Sequence, residues 1–180
     1  MVLTPDQFQT LLRQPKKDAH LHKIRMEFLL NTGMRYAEAR RFIFKHHRYD
    51  AEKIHKPKTG KTYKQAERWI KVTPQYNEKL KTARELLKLS ERNGLGFPTI
   101  AGFQNNLYRW FKKAEIELEG NLVKIFRKTR ECWLMVARYD GAMIALDQGH
   151  SRLTQLKHYL SNPFSGEDVE KIRKYMKDWM

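Results

Sequence analysis

The sequence predicts a mainly α-helical domain interrupted by one small antiparallel β-sheet. Three observations predict it. Apolar residues recur at helical spacing through most of the 180 residues. That pattern breaks between Phe42 and Val72, where Phe42, Phe44, Trp69, Ile70 and Val72 fall in short apolar or aromatic stretches around Lys56-Pro57-Lys58-Thr59-Gly60-Lys61, a segment with turn chemistry. Apolar residues make up 41% of the chain, and no repeat, low-complexity tract or long charge block divides it, so one compact unit is expected.

Each element has its own justification. Thr4-Pro5-Asp6 has the form of an N-cap followed by proline at the first helical position, and Phe8, Leu11 and Leu12 share one face of the helix that follows. A second helix is expected from about Ala19 to Leu30, with Leu21, Ile24 and Phe28 as its stripe and Thr32-Gly33 as its stop. A short helix around Tyr36–Arg41 precedes the β interruption. Thr73-Pro74 then opens a long helix to about Arg92, ended by Asn93-Gly94, and residues 95–99 form a linker. Further helices are expected at about Phe103–Glu117, Val123–Tyr139, Ala142–Leu146, Arg152–Leu160 and Glu167–Trp179. In the last of these Val169, Ile172, Tyr175, Met176 and Trp179 form an apolar stripe behind a Ser165 cap, suited to packing on its own core or on a neighbouring subunit.

Charge narrows the function. Thirty-six Lys and Arg against 20 Asp and Glu give a net charge of +16 and a pI near 10.0. Such an excess repels itself in a compact fold, but suits a polyanionic partner whose phosphates release counterions on binding. No apolar run approaches a membrane span, and the Met1-Val2-Leu3-Thr4-Pro5-Asp6 start has no signal-peptide character, so neither a membrane nor secretion is expected. The single cysteine, Cys132, excludes an internal disulfide and fits the reducing cytoplasm. The seven histidines are scattered, His46 and His47 reading as solvated bases, so a zinc site is not expected.

Four separated segments hold the residue types that attack on a phosphodiester requires. Phosphoryl transfer needs a positioned nucleophile, cations on the non-bridging oxygens and an acid for the leaving oxygen. Arginine suits those oxygens because its planar fork makes paired bonds to phosphate. No G-x-x-x-x-G-K-[ST] loop and no acidic cluster suited to Mg²⁺ is present, so no cofactor, metal or ATP is expected.

The segment Leu30-Asn31-Thr32-Gly33-Met34-Arg35-Tyr36-Ala37-Glu38 resembles the first motif of tyrosine recombinases, an apolar helix end followed by T-G-x-R-x-x-E. Lys58, 23 residues after Arg35, stands where that family has its β-hairpin lysine, although Lys61 and Lys64 lie near enough to compete. Lys124-Ile125-Phe126-Arg127 aligns with the family's H-x-x-R box, with Lys for His. Gly149-His150-Ser151 resembles its G-H-S box, and Tyr159 follows His150 by nine residues, the family's nucleophile interval. The resemblance runs from about Thr4 to Tyr159, and its weight lies in the order and intervals of these positions.

What the resemblance implies is a tyrosine recombinase catalytic-domain fold, of the DNA breaking-rejoining type, over residues 1–180, without the N-terminal core-binding domain of many relatives. It implies a site-specific recombinase or integrase working through a 3′-phosphotyrosyl link. Tyr159 is then the nucleophile, Arg35 and Arg127 the phosphate clamps, Lys58 the general acid, and Lys124 and His150 further phosphate contacts, with Glu38 in support of Arg35 or of a neighbouring helix. Lys124 keeps charge stabilisation but not a neutral-pH proton shuttle, and this K-x-x-R variant resembles the integrases of spindle-shaped archaeal viruses. Lys56, Lys61, Lys128, Arg130 and Arg152 are expected DNA contacts. The partners implied are double-stranded DNA and further copies of the chain, as a dimer or tetramer on DNA. The rivals are a type IB topoisomerase-like relaxing enzyme, a DNA-binding recombinase descendant without catalysis, and, less suited, an RNA-binding protein.

Overall fold

In a computed structural model, the structure describes residues 1–41, 49–50, 69–70, 76, 78–79, 82, 95–118, 120–148, 163–177 and 179. Helix α1 (Pro5–Leu12) starts on a reciprocal cap: the Thr4 hydroxyl accepts from the Gln7 amide at 3.2 Å and the Gln7 side chain accepts from the Thr4 amide at 2.9 Å. Helix α2 (Ala19–Thr32) runs two residues past its expected end. Its stop is Gly33, left-handed at φ 61°, whose amide donates to the Leu29 carbonyl, while the Thr32 hydroxyl turns back onto the Phe28 carbonyl at 2.7 Å. Helix α3 (Tyr36–Arg41) follows after a three-residue turn.

Strand β1 (Tyr49–Asp50) pairs antiparallel with β2 (Trp69–Ile70), Tyr49 opposite Ile70 and Asp50 opposite Trp69. The rest of the expected sheet and its basic loop lie outside the described residues. Tyr76, Glu78, Lys79 and Thr82 are helical; the bounds expected for that helix, and the whole of the helix expected over Arg152–Leu160, also lie outside them.

Helix α4 (Ile100–Lys113) begins three residues earlier than expected because the Thr99 hydroxyl caps it, accepting from the Gly102 amide at 3.1 Å. A 3₁₀ turn (Leu122–Lys124) leads into α5 (Ile125–Val136). Both α4 and α5 stop short of their expected ends, for one physical reason. Glu115 (φ 55°) and Arg138 (φ 66°) adopt the left-handed conformation, and the next amides reach back: Ile116 to the Phe111 carbonyl at 3.1 Å, Tyr139 to the Leu134 carbonyl at 3.0 Å. These are Schellman closures without glycine, so the usual sequence mark of a helix end is missing. Helices α6 (Gly141–Gln148) and α7 (Gly166–Tyr175) complete the order, the latter capped reciprocally by Ser165 and Asp168.

Helix α2 is central and buried around most of its circumference, Arg25, Asn31 and Thr32 included, which a one-face stripe does not anticipate. It lies against α5, with α1 and α7 flanking one side. There Phe8 meets Phe126 and Trp133 edge-on, and the N-terminal segment is pinned by Leu3, whose amide donates to the Thr129 hydroxyl and whose carbonyl accepts from Trp133 Nε1. A second aromatic group joins α2, α3 and α4: Tyr36 stacks on Phe103 at 5.0 Å, and Phe97 packs against Phe28, Tyr36 and Phe103. Arg25 holds the linker before α4, donating from Nε to the Leu95 carbonyl at 2.9 Å.

The stripe of the C-terminal helix is covered by the chain itself. Ile172 and Met176 are fully buried, Trp179 is nearly so, and Tyr175 meets Trp133 edge-on at 5.4 Å. Lys171 bridges to Asp6 of α1 at 2.6 Å. Among the described residues no helix is long and apolar enough to cross a membrane.

Candidate active site

The turn after α2 is built before any functional side chain is added. With no Cβ, Gly33 both tolerates its left-handed φ and lets a neighbour approach: a Cβ there would stand 2.1 Å from Nε2 of Gln148. The Thr32 hydroxyl also accepts from the Met34 amide at 3.3 Å, closing the turn. Arg35 follows at the entry to α3. Glu38 grips it twice, taking the Arg35 amide on Oε2 at 2.7 Å and its Nη1 on Oε1 at 3.0 Å. The Glu38 side chain is buried while a quarter of the Arg35 side chain is exposed, so the carboxylate anchors the guanidinium from the protein side. Of the two positions the sequence left open for Glu38, the structure shows the pairing with Arg35.

Arg127 projects from the first turn of α5 and is almost fully buried. Its Nη1 donates to the Gly33 carbonyl at 2.7 Å, and its Nη2 to the Gln148 carbonyl at the end of α6. Glu131, one turn along α5, lies 3.9 Å from its Nε. One side chain thus ties the turn leading into Arg35 to the residue that runs directly into Gly149-His150. Two of the sequence segments, the Thr32-Gly33 turn and the Lys124–Arg127 box, meet at this guanidinium, and Gly149-His150-Ser151 lies outside the described residues.

Lys124 is exposed at the end of the 3₁₀ turn, one helical turn before Arg127, and Lys128 is half-buried. Arg130 requires a correction. It was expected to contact DNA, but only 2% of it is exposed: Nε donates to the Asn31 carbonyl at 3.0 Å and the guanidinium lies 5.8 Å from the Trp179 ring centre. The physical reason is the end of α2, whose last carbonyls lack helical partners and carry the negative end of the dipole. Lys56, Lys58, Lys61, His150, Arg152 and Tyr159 lie outside the described residues.

Two contributors were not foreseen. Glu131 stands at i+4 from Arg127, a spacing that marks ion pairs on a helix. Gln148 has no such sequence mark. It is fully buried, and among the described residues neither its Nε2 nor its Oε1 has a hydrogen-bond partner. Among the described residues no group of three His, Cys, Asp or Glu side chains is placed to hold a metal ion.

No family model matches the sequence, and no curated protein matches it. Solved structures do match the fold. The XerH site-specific recombinase, bound to a palindromic difH substrate in a post-cleavage complex, superposes with a TM-score of 0.63 at 19% identity over 98% of this chain and 52% of that one. The Tn1549 transposon integrase, in complex with transposon right end DNA, gives 0.67 at 20% identity over 97% and 66%. XerA recombinase gives 0.63 at 15% identity over 98% and 63%. At these identities the likeness is one of fold, and it defines the class: a tyrosine recombinase-like helical fold. The chain spans about half to two-thirds of the length of these proteins.

Proposed function

We propose that this chain is the catalytic domain of a site-specific DNA recombinase or integrase. The observation that carries the reading is the placement of Arg127, hydrogen-bonded to the carbonyls of both Gly33 and Gln148. A phosphate clamp fixed between the Arg35 turn and the approach to His150 is what a shared phosphodiester site requires. The fold likeness to DNA-bound XerH and Tn1549 integrase supports it independently.

In this reading Tyr159 gives up its phenol proton to water, the surrounding cations favouring the phenolate, and its oxygen attacks a backbone phosphorus. A tyrosyl O–P bond forms, the P–O5′ bond breaks, and the 5′ oxygen leaves with a proton from Lys58. Arg35, Arg127, Lys124 and His150 hold the non-bridging oxygens as charge builds on them. Attack by the same or another 5′ hydroxyl then reverses the step and restores the backbone, the bond energy having been kept in the phosphotyrosyl link. Double-stranded DNA is the substrate and the excess positive charge its long-range attraction. Self-association on DNA belongs to the same proposal, and since α7 covers its own stripe, contact between copies must release that helix or use other surface. Lys124 in place of His extends the proposal to an archaeal-virus or related mobile-element source, and cytoplasmic action follows.

Trapping on a nicked suicide duplex tests the reading. Wild type should give a protein–DNA adduct that survives denaturant, and Tyr159→Phe should give none. No adduct from wild type, with duplex binding retained, would favour a DNA-binding descendant. Relaxation of supercoiled plasmid without sequence dependence or two-site products would favour a topoisomerase-like enzyme.

A further inference from the structure

At the opposite end of α2 from Gly33 lies a cleft of about 460 Å³, walled by the loop before α2 and by α4. Eleven residue steps lead from His22, which lines it, to Gly33, or about 16 Å at 1.5 Å per residue. Four cations reach it, Lys16 and Lys17 from the loop and Arg109 and Lys113 from α4, against one acid, Asp18. All four are exposed, so their charge is available to a ligand.

The neutral groups of the cleft are also set as donors. His22 is 8% exposed, and its Nδ1 faces Arg25 Nη1 at 3.4 Å. Arginine only donates, so Nδ1 accepts and the proton of the neutral ring sits on Nε2. Burial first, and the Arg25 charge second, lower the His22 pKa and keep it in that form, Asp18 opposing them in part. Trp110, edge-on at 4.8 Å, fixes the ring plane. Asn106 has its Oδ1 occupied by Arg109 Nη2 at 2.9 Å, which leaves its Nδ2 as the group to offer. The four cations, His22 and Asn106 thus line one cavity of ligand size.

We propose that this cleft is a binding site for a phosphate-bearing anion, separate from the proposed catalytic cluster. Charge comes from the four cations, and direction from His22 Nε2 and Asn106 Nδ2. The phosphate belongs either to a nucleic-acid backbone or to a free phosphorylated molecule, and the site stands whether or not Tyr159 cuts DNA.

The test follows the His22 imidazole signals by NMR while inorganic pyrophosphate, or a short DNA duplex, is added to the full chain. Three proteins are compared: wild type, the Lys17→Ala/Lys113→Ala double variant, and Asn106→Asp, which keeps the acceptor for Arg109 but puts a negative charge in place of the donor. Wild type should show a saturable shift with at least one probe, absent with chloride at equal ionic strength. The double variant and Asn106→Asp should each weaken binding by about tenfold or more with melting temperature unchanged. A shift with duplex alone, with the salt slope of binding reduced by about two in the double variant, assigns the phosphate to the DNA backbone. A shift with pyrophosphate alone assigns it to a free phosphate. No shift with either probe, or equal affinity in all three proteins, overturns the proposal.

Discussion

Arg127 donates through Nη1 to the main-chain oxygen of Gly33 at 2.7 Å, joining the first turn of α5 to the turn that ends α2. Arg130, nearly one turn further on, does the same for the Asn31 carbonyl. A helix end leaves its last carbonyls without partners and carries partial negative charge, so two buried guanidiniums on the facing helix satisfy both demands together. The site turn is therefore held by charge from below, and the Arg35 that emerges from it inherits that rigidity through Glu38.

Removing Arg127 should cost stability before any question of catalysis arises. Arg127→Ala removes the donor to two buried carbonyls and one ion pair of Glu131, and a loss of about 3 kcal/mol is expected. Arg127→Lys keeps the charge but cannot span both carbonyls, so part of the loss should remain. Urea unfolding of the two variants checks this. A change within about 0.5 kcal/mol for Arg127→Ala would mean the two hydrogen bonds do not hold the site together.

Gly33 and Gln148 should be energetically coupled. Gly33→Ala places a methyl 2.1 Å from Gln148 Nε2 and strains a left-handed backbone, and about 2 kcal/mol of destabilisation is expected. Gln148→Ala in the same background should relieve the clash but not the backbone strain. A double-mutant cycle by denaturant unfolding should show the pair less than additive. Strict additivity would remove the close approach from the account.

Much of this fold was legible because its signals are local. Caps at Thr4 and Ser165, helical spacing in α1 and the stop at Gly33 all act within a few residues, where sequence is a direct record. The ends of α4 and α5 were misplaced because Glu115 and Arg138 take left-handed conformations that their residue types do not announce. At the site, the Arg35–Glu38 pair was readable at i,i+3. Burial of Arg130 was not, since nothing in its neighbourhood distinguishes a charge facing DNA from one facing the Asn31 carbonyl 99 residues away. The amide of Gln148, unpartnered among the described residues, is visible only when α6 is placed against the α2 turn.

Arg130 and Lys128 should respond oppositely to mutation. Lys128 is half-exposed, so Lys128→Ala should weaken duplex binding evenly across sequences and, if it meets a phosphate, lower the salt slope by about 0.9. Arg130→Ala should leave the salt slope of the folded protein unchanged and cost about 2–4 kcal/mol, having left the Asn31 carbonyl without its donor and exposed the Trp179 face. Binding isotherms at several salt concentrations, together with unfolding curves, separate the two. A reduced slope in folded Arg130→Ala would restore Arg130 as a DNA contact.

The single cysteine supplies a reporter of the fold at alkaline pH. Burial first, and the neighbouring Glu131 carboxylate second, push the Cys132 thiol up to about 12 from its ordinary value of 9.0, with Lys128 and the N-terminus opposing. A folded pKa raised above the unfolded one means the stability it carries is intact below pH 9 and is lost as pH rises toward 12, because the unfolded chain ionises first. Tyr175, raised mainly by burial, acts in the same direction at still higher pH. Unfolding free energy should therefore fall from about pH 9 upward, and Cys132→Ala should show a shallower fall from a lower starting stability. Below pH 9 the native thiol should react with a disulfide reagent only as fast as the chain opens. Immediate stoichiometric labelling of folded protein at pH 8 would place Cys132 at the surface and contradict its burial between α5 and the core.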